Sequence, residues 1–176
     1  MTDRMLEGQV ALVTGAGRGL GRAFAERLAA LGCHIAVHGM REHGPSEYGG
    51  TQTLTDVART IAATHGVRTT RLLGDLTRVE DIERVVHTAT SELGPIDILV
   101  HNAGGDIAAA GGKPDPNDVV HIKAEDVRAV LDRNLLSTIF VCQQVARVVE
   151  FFAGPLGAFV SGQVVRVDGG GQAWPA

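Results

Sequence analysis

The stretch QVALVTGAGRGLG, residues 9–21, decides the fold, because an apolar run passes directly into a turn rich in glycine. The run at Gln9–Val13 is short and continuous, which is typical of a strand buried on both faces of a sheet. An amphipathic helix is predicted to follow and to end at Gly32. The residues on its apolar face are Leu20, Phe24, Leu28 and Leu31. A strand, a glycine turn and a helix in this order predict an opening β–α unit.

The spacing of the glycines indicates what the turn could bind. Gly15, Gly19 and Gly21 stand at offsets 0, 4 and 6, which is not the G-x-G-x-x-G pattern. Such a turn needs a residue that tolerates positive φ, and it needs no Cβ where the backbone meets a pyrophosphate. The helix that follows offers free N–H groups and its positive dipole end to phosphates. The alternative is that the glycines serve only a tight β–α turn.

The rest of the chain repeats the strand–helix alternation. Further strands are predicted at Cys33–Val37, Thr70–Leu73 and Ile96–Val100, the last of them buried. Helices are predicted around Leu54–Ile61, over Val79–Leu93 and from Ala124 onward. Short connections and right-handed crossovers favour a doubly wound parallel sheet with helices on both faces. Ligands of such sheets bind beyond the carboxyl ends of the strands, where the glycine and Asx clusters of this chain lie.

Composition excludes several classes of protein. The chain has 176 residues, 44% of them hydrophobic and 20% charged, which predicts one folded domain over residues 1–176 and argues against disorder. The net charge of −4, without a basic block, gives no support for nucleic-acid or anionic-membrane binding. We find neither a membrane-spanning run nor a signal peptide, and we expect a cytoplasmic protein. Cys33 and Cys142 match no disulfide or metal-ligand spacing, so no metal site is expected.

Five segments, in order, resemble the short-chain dehydrogenase/reductase family, whose nearest-looking members are 3-oxoacyl-thioester reductases. The glycine turn matches the family element T-G-x-x-x-G-x-G from Thr14 to Gly21, and His101–Gly104 matches N-N-A-G except at its first position. The other matching segments are Gly74-Asp75-Leu76, Asp132–Leu135, and the final strand with its flanks at Phe159–Gln163 and Val167–Gly170. The resemblance implies a Rossmann-like domain that binds a nicotinamide dinucleotide.

The resemblance also assigns roles to individual residues. It places the pyrophosphate and ribose on Gly15, Arg18, Gly19, Leu20 and Gly21. It places Asp75 and Leu76 in the adenine pocket, Asn102, Ala103 and Gly104 under the cofactor, and Asn134 at the family's catalytic asparagine. Simpler alternatives remain open. Asp75 could cap a helix, Asn102 could satisfy backbone groups at a strand end, and Asn134 could be packed within its helix.

Charge at the end of the second strand favours NADP(H) over NAD(H). An acid at this place would bind the ribose 2′-hydroxyl, whereas an arginine accommodates a 2′-phosphate. Residues 37–41 read VHGMR, with no acid before Arg41, and Arg18 adds a second cation on the same side. Glu42 argues for the opposite preference, and an exposed, uninvolved Arg41 is the alternative.

The family's catalytic Tyr-x-x-x-Lys pair and its serine are missing. Tyr48 is the one tyrosine and has Gln52 at the fourth following position, while the two lysines, Lys113 and Lys123, have no tyrosine at that spacing. The absence resembles an excision whose junction lies near Gln143–Gln144, leaving a truncated sheet of about five strands with Gln163–Val167 as the fifth.

The junction joins two family helices in one helical pattern over Ala124–Phe152, about 43 Å at 1.5 Å per residue. That helix overshoots a strand of ~20 Å. The chain must kink, project its apolar end, or bury Val145, Val148, Val149 and Phe152 against another subunit, so we expect a homo-oligomer or modest stability.

Three functions are compatible with these residues. The first is NADP(H)-dependent interconversion of small carbonyl and alcohol substrates, impaired here because only Asn134 survives from the catalytic set. The second is a dinucleotide-binding module without turnover, either a pseudoenzyme or a regulatory subunit. The third, another nucleotide ligand such as S-adenosylmethionine, leaves His101–Gly104 and Asp75-Leu76 unexplained. His101 could replace the missing acid, although a histidine at a strand end is more often structural.

Overall fold

The computed structural model describes residues 4–46 and 51–146. Within them four parallel strands form one sheet in the order β3-β2-β1-β4. The strands are β1 (Val10–Val13), β2 (His34–Gly39), β3 (Thr69–Leu73) and β4 (Ile98–Val100). The helices are α1 (Gly19–Ala30), α2 (Leu54–His65), α3 (Val79–Leu93), α4 (Ala124–Leu131) and α5 (Ser137–Val145). The strand order reverses direction between β1 and β4, which confirms the doubly wound arrangement.

The two faces of β1 bury separate apolar cores. Ala11 and Val13 pack with residues of α1 and α2, whereas Val10 and Leu12 pack with residues of α3. All four β1 residues are buried because β1 pairs with β2 on one side and β4 on the other. The continuous apolar run of the sequence is therefore explained by burial on both faces of a central strand.

The predicted apolar face of α1 is wrong at its first two residues, Leu20 and Phe24, whereas Leu28 packs against the core and Leu31 is half-buried. Leu20 is 70% exposed and Phe24 is 42% exposed, while the buried residues of the helix are Gly21, Ala25 and Ala29. Both sets recur every four residues, so periodicity alone does not separate them. The small residues face the sheet because the helix lies close to the preceding turn, where a Cβ on Gly21 would stand 2.2 Å from the Gly15 carbonyl oxygen.

The other elements follow the sequence more closely. Helix α3 has the predicted bounds, and α2 begins with a capping box in which Thr53 and Asp56 bond each other's backbone N–H groups. The fourth strand is shorter than predicted, Ile98–Val100 instead of Ile96–Val100, and its residues are half-buried. Because β4 lies at the edge of the described sheet, it lacks the covering that a central strand receives.

The helical pattern after Ala124 is interrupted before the predicted junction. Residues Asp132–Leu136 form a π-helical turn between α4 and α5, and α5 ends at Val145, just after Gln143–Gln144. An irregular turn of this kind displaces the side chains that follow it, and such turns occur often at functional sites.

By its internal contacts the chain divides into a unit Met1–Val145 and a unit Ala146–Ala176. The predicted fifth strand at Gln163–Val167, the apolar residues Val148, Val149 and Phe152, and Tyr48 lie outside the described residues. The single domain over 1–176 and the excision remain predictions. In residues 4–46 and 51–146, no helix has the length and apolarity that a membrane span requires.

Candidate functional site

A cleft of about 350 Å³ opens at the carboxyl edge of the sheet, where the strand order reverses between β1 and β4. It is lined by segments that follow each of the four strands and by residues of the π-helical turn and α5. The described lining residues are Gly15, Gly17, Arg18, Gly19, His38, Gly39, Met40, Arg41, Gly44, Pro45, Leu54, Gly74, Asp75, Leu76, Thr77, Asn102, Ala103, Gly104, Ile107, Arg133 and Ser137. Its position is the one expected for ligands of doubly wound sheets.

The glycine turn forms one wall of this cleft and requires glycine for two different reasons. Gly19 has φ +55°, and a Cβ added there would meet nothing within 4 Å. It therefore opens into empty space beside the first turn of α1. Gly15 has φ +64°, and its added Cβ would stand 3.2 Å from the Ala103 Cα. One glycine leaves room for a ligand and the other permits close approach of the β4 segment.

Thr14 joins the ends of β1 and β4. Its buried hydroxyl oxygen accepts hydrogen bonds from the backbone N–H groups of Asn102 and Ala103, both at 3.0 Å. The Asn102 side-chain amide donates to the carbonyl oxygens of Thr14 at 3.3 Å and Gly15 at 3.4 Å. Asn102 thus satisfies backbone groups, as the simpler of its two predicted roles requires, and it also lines the cleft.

The turn after β3 is organised by two carboxylates. Asp75 accepts hydrogen bonds from the backbone N–H and hydroxyl of Thr77, and its own N–H donates to Asp81 at 2.8 Å. The bond from Asp75 lowers the pKa of Asp81. Asp75 does not cap α3, because its carboxylate bonds Thr77 and the N-cap residue of the helix is Arg78, whose side chain makes no capping hydrogen bond. The arrangement holds Asp75 and Leu76 in the cleft wall.

Asn134 lies beside the cleft and is fully engaged with the backbone. Its Oδ1 accepts from the Gly105 N–H at 2.9 Å, and its amide donates to the carbonyl oxygens of Gly105 and Val130. Its neighbour Arg133 donates to the Ile107 carbonyl oxygen at 3.0 Å and lines the cleft. The side chain of Asn134 therefore fastens the loop after β4 to the π-helical turn.

The charge of the cleft is mainly positive. Arg18, Arg41 and Arg133 line it, and among the described lining residues Asp75 is the one acid. Glu42 does not line the cleft. It accepts from the Thr55 N–H at 3.0 Å and from Arg71 at 2.9 Å, and hydrogen bonds from Thr55 and then Arg71 hold its pKa at about 2. The site thus favours an anionic ligand.

His38 is a buried lining residue that the sequence reasoning did not single out. Its Nε2 donates to the Gly74 carbonyl oxygen at 3.1 Å, and its buried Nδ1 has no partner among the described residues. Burial lowers the pKa of His38 to about 4, despite the opposing bond to Gly74. The ring is therefore uncharged at neutral pH.

We expect this histidine to make the protein acid-labile. An unfolded histidine titrates near 6.5, so the unfolded state binds more protons between about pH 6.5 and pH 4, and stability falls as the pH drops through that window. Between pH 7.5 and pH 5 the free energy of unfolding should fall by about 2 kcal/mol more for the wild type than for His38→Gln. Urea unfolding of both proteins at the two pH values measures the difference, and equal losses would contradict the assignment.

The structure brings most of the predicted site residues together. Gly15, Arg18, Gly19, Arg41, Asp75, Leu76 and Asn102–Gly104 all line the cleft. Leu20 points away into solvent, Gly21 lies beneath the turn, and Asn134 is adjacent to the lining without being part of it. Sequence reasoning missed the roles of Thr14, His38, Arg133 and Ser137. The described residues contain no group of three His, Cys, Asp or Glu side chains suited to a metal.

Comparison with known proteins identifies the family that this chain resembles. The family model described as short chain dehydrogenase matches residues 9–167. Cyclohexanol dehydrogenase of Rhodococcus sp. (strain TK6) is 37% identical over 153 residues, covering 83% of this chain and 54% of that protein. The hydroxynaphthalene reductase-like protein Arp2 of Metarhizium guizhouense is 31% identical over 142 residues, covering 81% of this chain and 47% of that protein.

A solved structure shows the same likeness. The crystal structure of a hydroxysteroid dehydrogenase from Escherichia coli superposes with a TM-score of 0.66 at 28% identity, covering 84% of this chain and 55% of that one. The chain spans about half the length of the curated relatives it matches.

Proposed function

Because the chain belongs to the short-chain dehydrogenase family, we propose that its cleft binds NADP(H). We further propose that these residues carry out the family's oxidoreductase chemistry on small carbonyl and alcohol substrates only in impaired form. The observation that carries the proposal is the glycine turn between β1 and α1. It lines the cleft together with Asn102–Gly104, the segment that follows β4. Family membership implies a nicotinamide dinucleotide. The choice of NADP(H) and the impairment are inferences from this chain's own residues.

The described residues fit a dinucleotide. Gly19 leaves space beside the amino end of α1, where backbone N–H groups and the helix dipole favour the diphosphate. Asp75 and Leu76 also line the cleft, and the resemblance places the adenine beside them. Asn102–Gly104 would support the remaining part of the cofactor from β4.

Two features favour the phosphorylated cofactor. Arg18 and Arg41 both line the cleft, and guanidinium groups form charge-assisted hydrogen bonds with phosphate. Gly39 occupies the end of β2 and carries no carboxylate for a ribose hydroxyl. Glu42, the acid that argues for NAD(H), is engaged by Thr55 and Arg71 away from the cleft.

Titration calorimetry with NADPH and NADH tests this preference. We expect the wild type to bind NADPH at least tenfold more tightly, since a charge-assisted phosphate contact contributes about 1.5–3 kcal/mol. Arg41→Ala should lose about tenfold in NADPH affinity and little in NADH affinity. Arg59→Ala is the matched control, because Arg59 is exposed and outside the cleft. Equal losses for both cofactors, or a loss in the control, would contradict the role of Arg41.

Impairment is inferred from the acid–base groups near the cleft. Bound NADP(H) supplies or accepts hydride, but a carbonyl oxygen also needs a proton donor in the protein. Among the described lining residues there is no tyrosine and no lysine. Asn134 is committed to the backbone of Gly105 and Val130. The described lining residues therefore offer binding groups without the phenol and ammonium that the family uses.

Measuring binding and turnover on the same preparation separates the alternatives. We expect saturable NADPH binding, with carbonyl-dependent NADPH oxidation at least a hundredfold below that of a full-length relative, because general acid–base catalysis contributes about 10²–10⁴-fold. Turnover at the relative's rate would contradict the impairment. A folded chain that binds no dinucleotide would contradict the proposed function itself.

We also propose that the chain is a cytoplasmic homo-oligomer. An apolar stripe along α4 and α5, formed by Val127, Leu131, Leu135 and Ile139, is exposed in the described unit. A contiguous exposed apolar patch is typical of an association surface. Cys33 and Cys142 are free thiols, which suits a reducing compartment.

A further inference from the structure

A chain of hydrogen bonds crosses the base of the cleft through His101, the position at which this sequence departs from the family's N-N-A-G element. His101 Nδ1 lies 3.3 Å from the Thr14 hydroxyl oxygen. Its Nε2 lies 3.4 Å from the Ser137 hydroxyl oxygen. Ser137 in turn donates to the Arg133 carbonyl oxygen at 2.7 Å. The chain connects the end of β1, the end of β4 and the start of α5.

The direction of every bond in this chain is determined. The Thr14 hydroxyl oxygen already accepts from two backbone N–H groups, those of Asn102 and Ala103, so its two lone pairs are occupied. It must donate its proton to His101 Nδ1, which is therefore unprotonated. His101 then carries its proton on Nε2 and donates to Ser137, whose own proton goes to the Arg133 carbonyl oxygen. The ring is fixed as the neutral Nε2–H tautomer.

We propose that His101 is a positioning residue for the dinucleotide: its neutral Nε2–H form holds the β1 turn, the Asn102–Gly104 segment and the start of α5 in the arrangement that binds the cofactor. This rests on the proposed dinucleotide binding. A proton added to Nδ1 would point at a hydroxyl that has no lone pair to offer. The charged ring must break the bond to Thr14 or displace an N–H of the β4 segment, and both changes alter the cleft wall.

The surroundings of His101 favour the neutral ring. The ring is partly buried, and burial lowers its pKa below the usual range. Its polar neighbours are Thr14 on β1, His38 on β2 and Ser137 on α5, and none of these carries a negative charge at neutral pH. Asp75 and Asp81 act electrostatically on His38 rather than directly on His101. The Arg133 guanidinium is directed to Ile107. No described acid therefore stabilises an imidazolium here.

The test compares the wild type with His101→Asn and His101→Leu. Asparagine is the residue of the family element, can accept from Thr14 and does not titrate. Leucine leaves the Thr14 hydroxyl without an acceptor. Between pH 8 and pH 5 we expect the dissociation constant of NADPH to rise more for the wild type than for His101→Asn, because only the wild type carries at this position a ring that gains a proton as the pH falls. The 2′-phosphate of NADPH also titrates in this range, but it does so equally with both proteins and does not affect their comparison.

The leucine variant tests the hydrogen bond itself. At pH 8 His101→Leu should bind NADPH about tenfold more weakly than His101→Asn.

A second measurement reads the histidine without any ligand. Nitrogen-15 NMR of the free protein at pH 8 should show the Nε2–H tautomer for His101, and circular dichroism at each pH confirms that the proteins stay folded. An Nδ1–H tautomer, or identical pH profiles for wild type and His101→Asn, would overturn the proposal. A wild type that shows the Nε2–H tautomer but binds no NADPH at pH 8 would overturn the dinucleotide function, and the positioning role with it. The hydrogen-bond chain would then be a structural feature only.

Discussion

Replacing Gly19 with valine should weaken NADPH binding about a thousandfold, which corresponds to about 4 kcal/mol. Gly19 has φ +55° and no atom within 4 Å of an added Cβ, so the new side chain would fill the space proposed for the diphosphate instead of clashing with the protein. Fluorescence titration of NADPH measures the loss. Gly15 is a less informative position, because its side chain would also press on Ala103.

Gly66 provides the matched control for Gly19. It has φ +65°, also has nothing within 4 Å of an added Cβ, and ends α2 away from the cleft. Valine at either position should therefore introduce a similar backbone strain and lower the free energy of unfolding by about 1–3 kcal/mol, as measured by urea unfolding. We expect Gly66→Val to bind NADPH like the wild type. If Gly19→Val stays folded and keeps wild-type affinity, the diphosphate does not lie at this turn.

Thr14→Val should destabilise the protein by about 2–4 kcal/mol, because two partly buried backbone N–H groups, at Asn102 and Ala103, lose their acceptor at about 1–2 kcal/mol each. Valine has nearly the size and shape of threonine, so the loss reports the hydroxyl and not a cavity. Since domains are stable by only about 5–15 kcal/mol, the variant should unfold at a much lower urea concentration.

Two variants separate the hydroxyl of Thr14 from other effects. Thr14→Ser keeps the hydroxyl that accepts the two hydrogen bonds, and its free energy of unfolding should fall by only about 1 kcal/mol, for the loss of one methyl group. Thr70→Val removes another buried threonine hydroxyl, one that bonds the Glu92 carboxylate and not backbone N–H groups, and should cost less than Thr14→Val. If Thr14→Val loses no more than Thr14→Ser, the hydroxyl does not hold β1 and β4 together.

The sequence predicts the fold well wherever local signals and packing agree. Helix α3 begins after the β3 turn and ends before Gly94-Pro95, as its periodicity indicates. The strand–glycine turn–helix opening is confirmed as well. At the start of α1 the apolar face could not be chosen correctly, because large and small residues share one period. Only the closeness of Gly21 to the Gly15 carbonyl explains why the small residues face the sheet.

The candidate site is predicted in outline but not in its hydrogen bonding. Motifs place Gly15, Asp75 and Asn102 at one edge, since carboxyl ends of parallel strands meet there. They do not show that Asp75 bonds Thr77, because that contact depends on the path of the turn. His38 and Ser137 are far apart in the sequence, and the π-helical turn that orients Ser137 has no signal in the residue pattern.

The central claim is that the turn between β1 and α1 holds the diphosphate of a pyridine dinucleotide, and amide NMR during NADPH titration tests it most directly. The account predicts that the largest shifts occur at Gly17, Arg18 and Gly19, with further shifts at Asn102–Gly104, while the Gly66 amide stays unchanged. Saturation with NADPH that leaves the amides of the turn unmoved would contradict the claim.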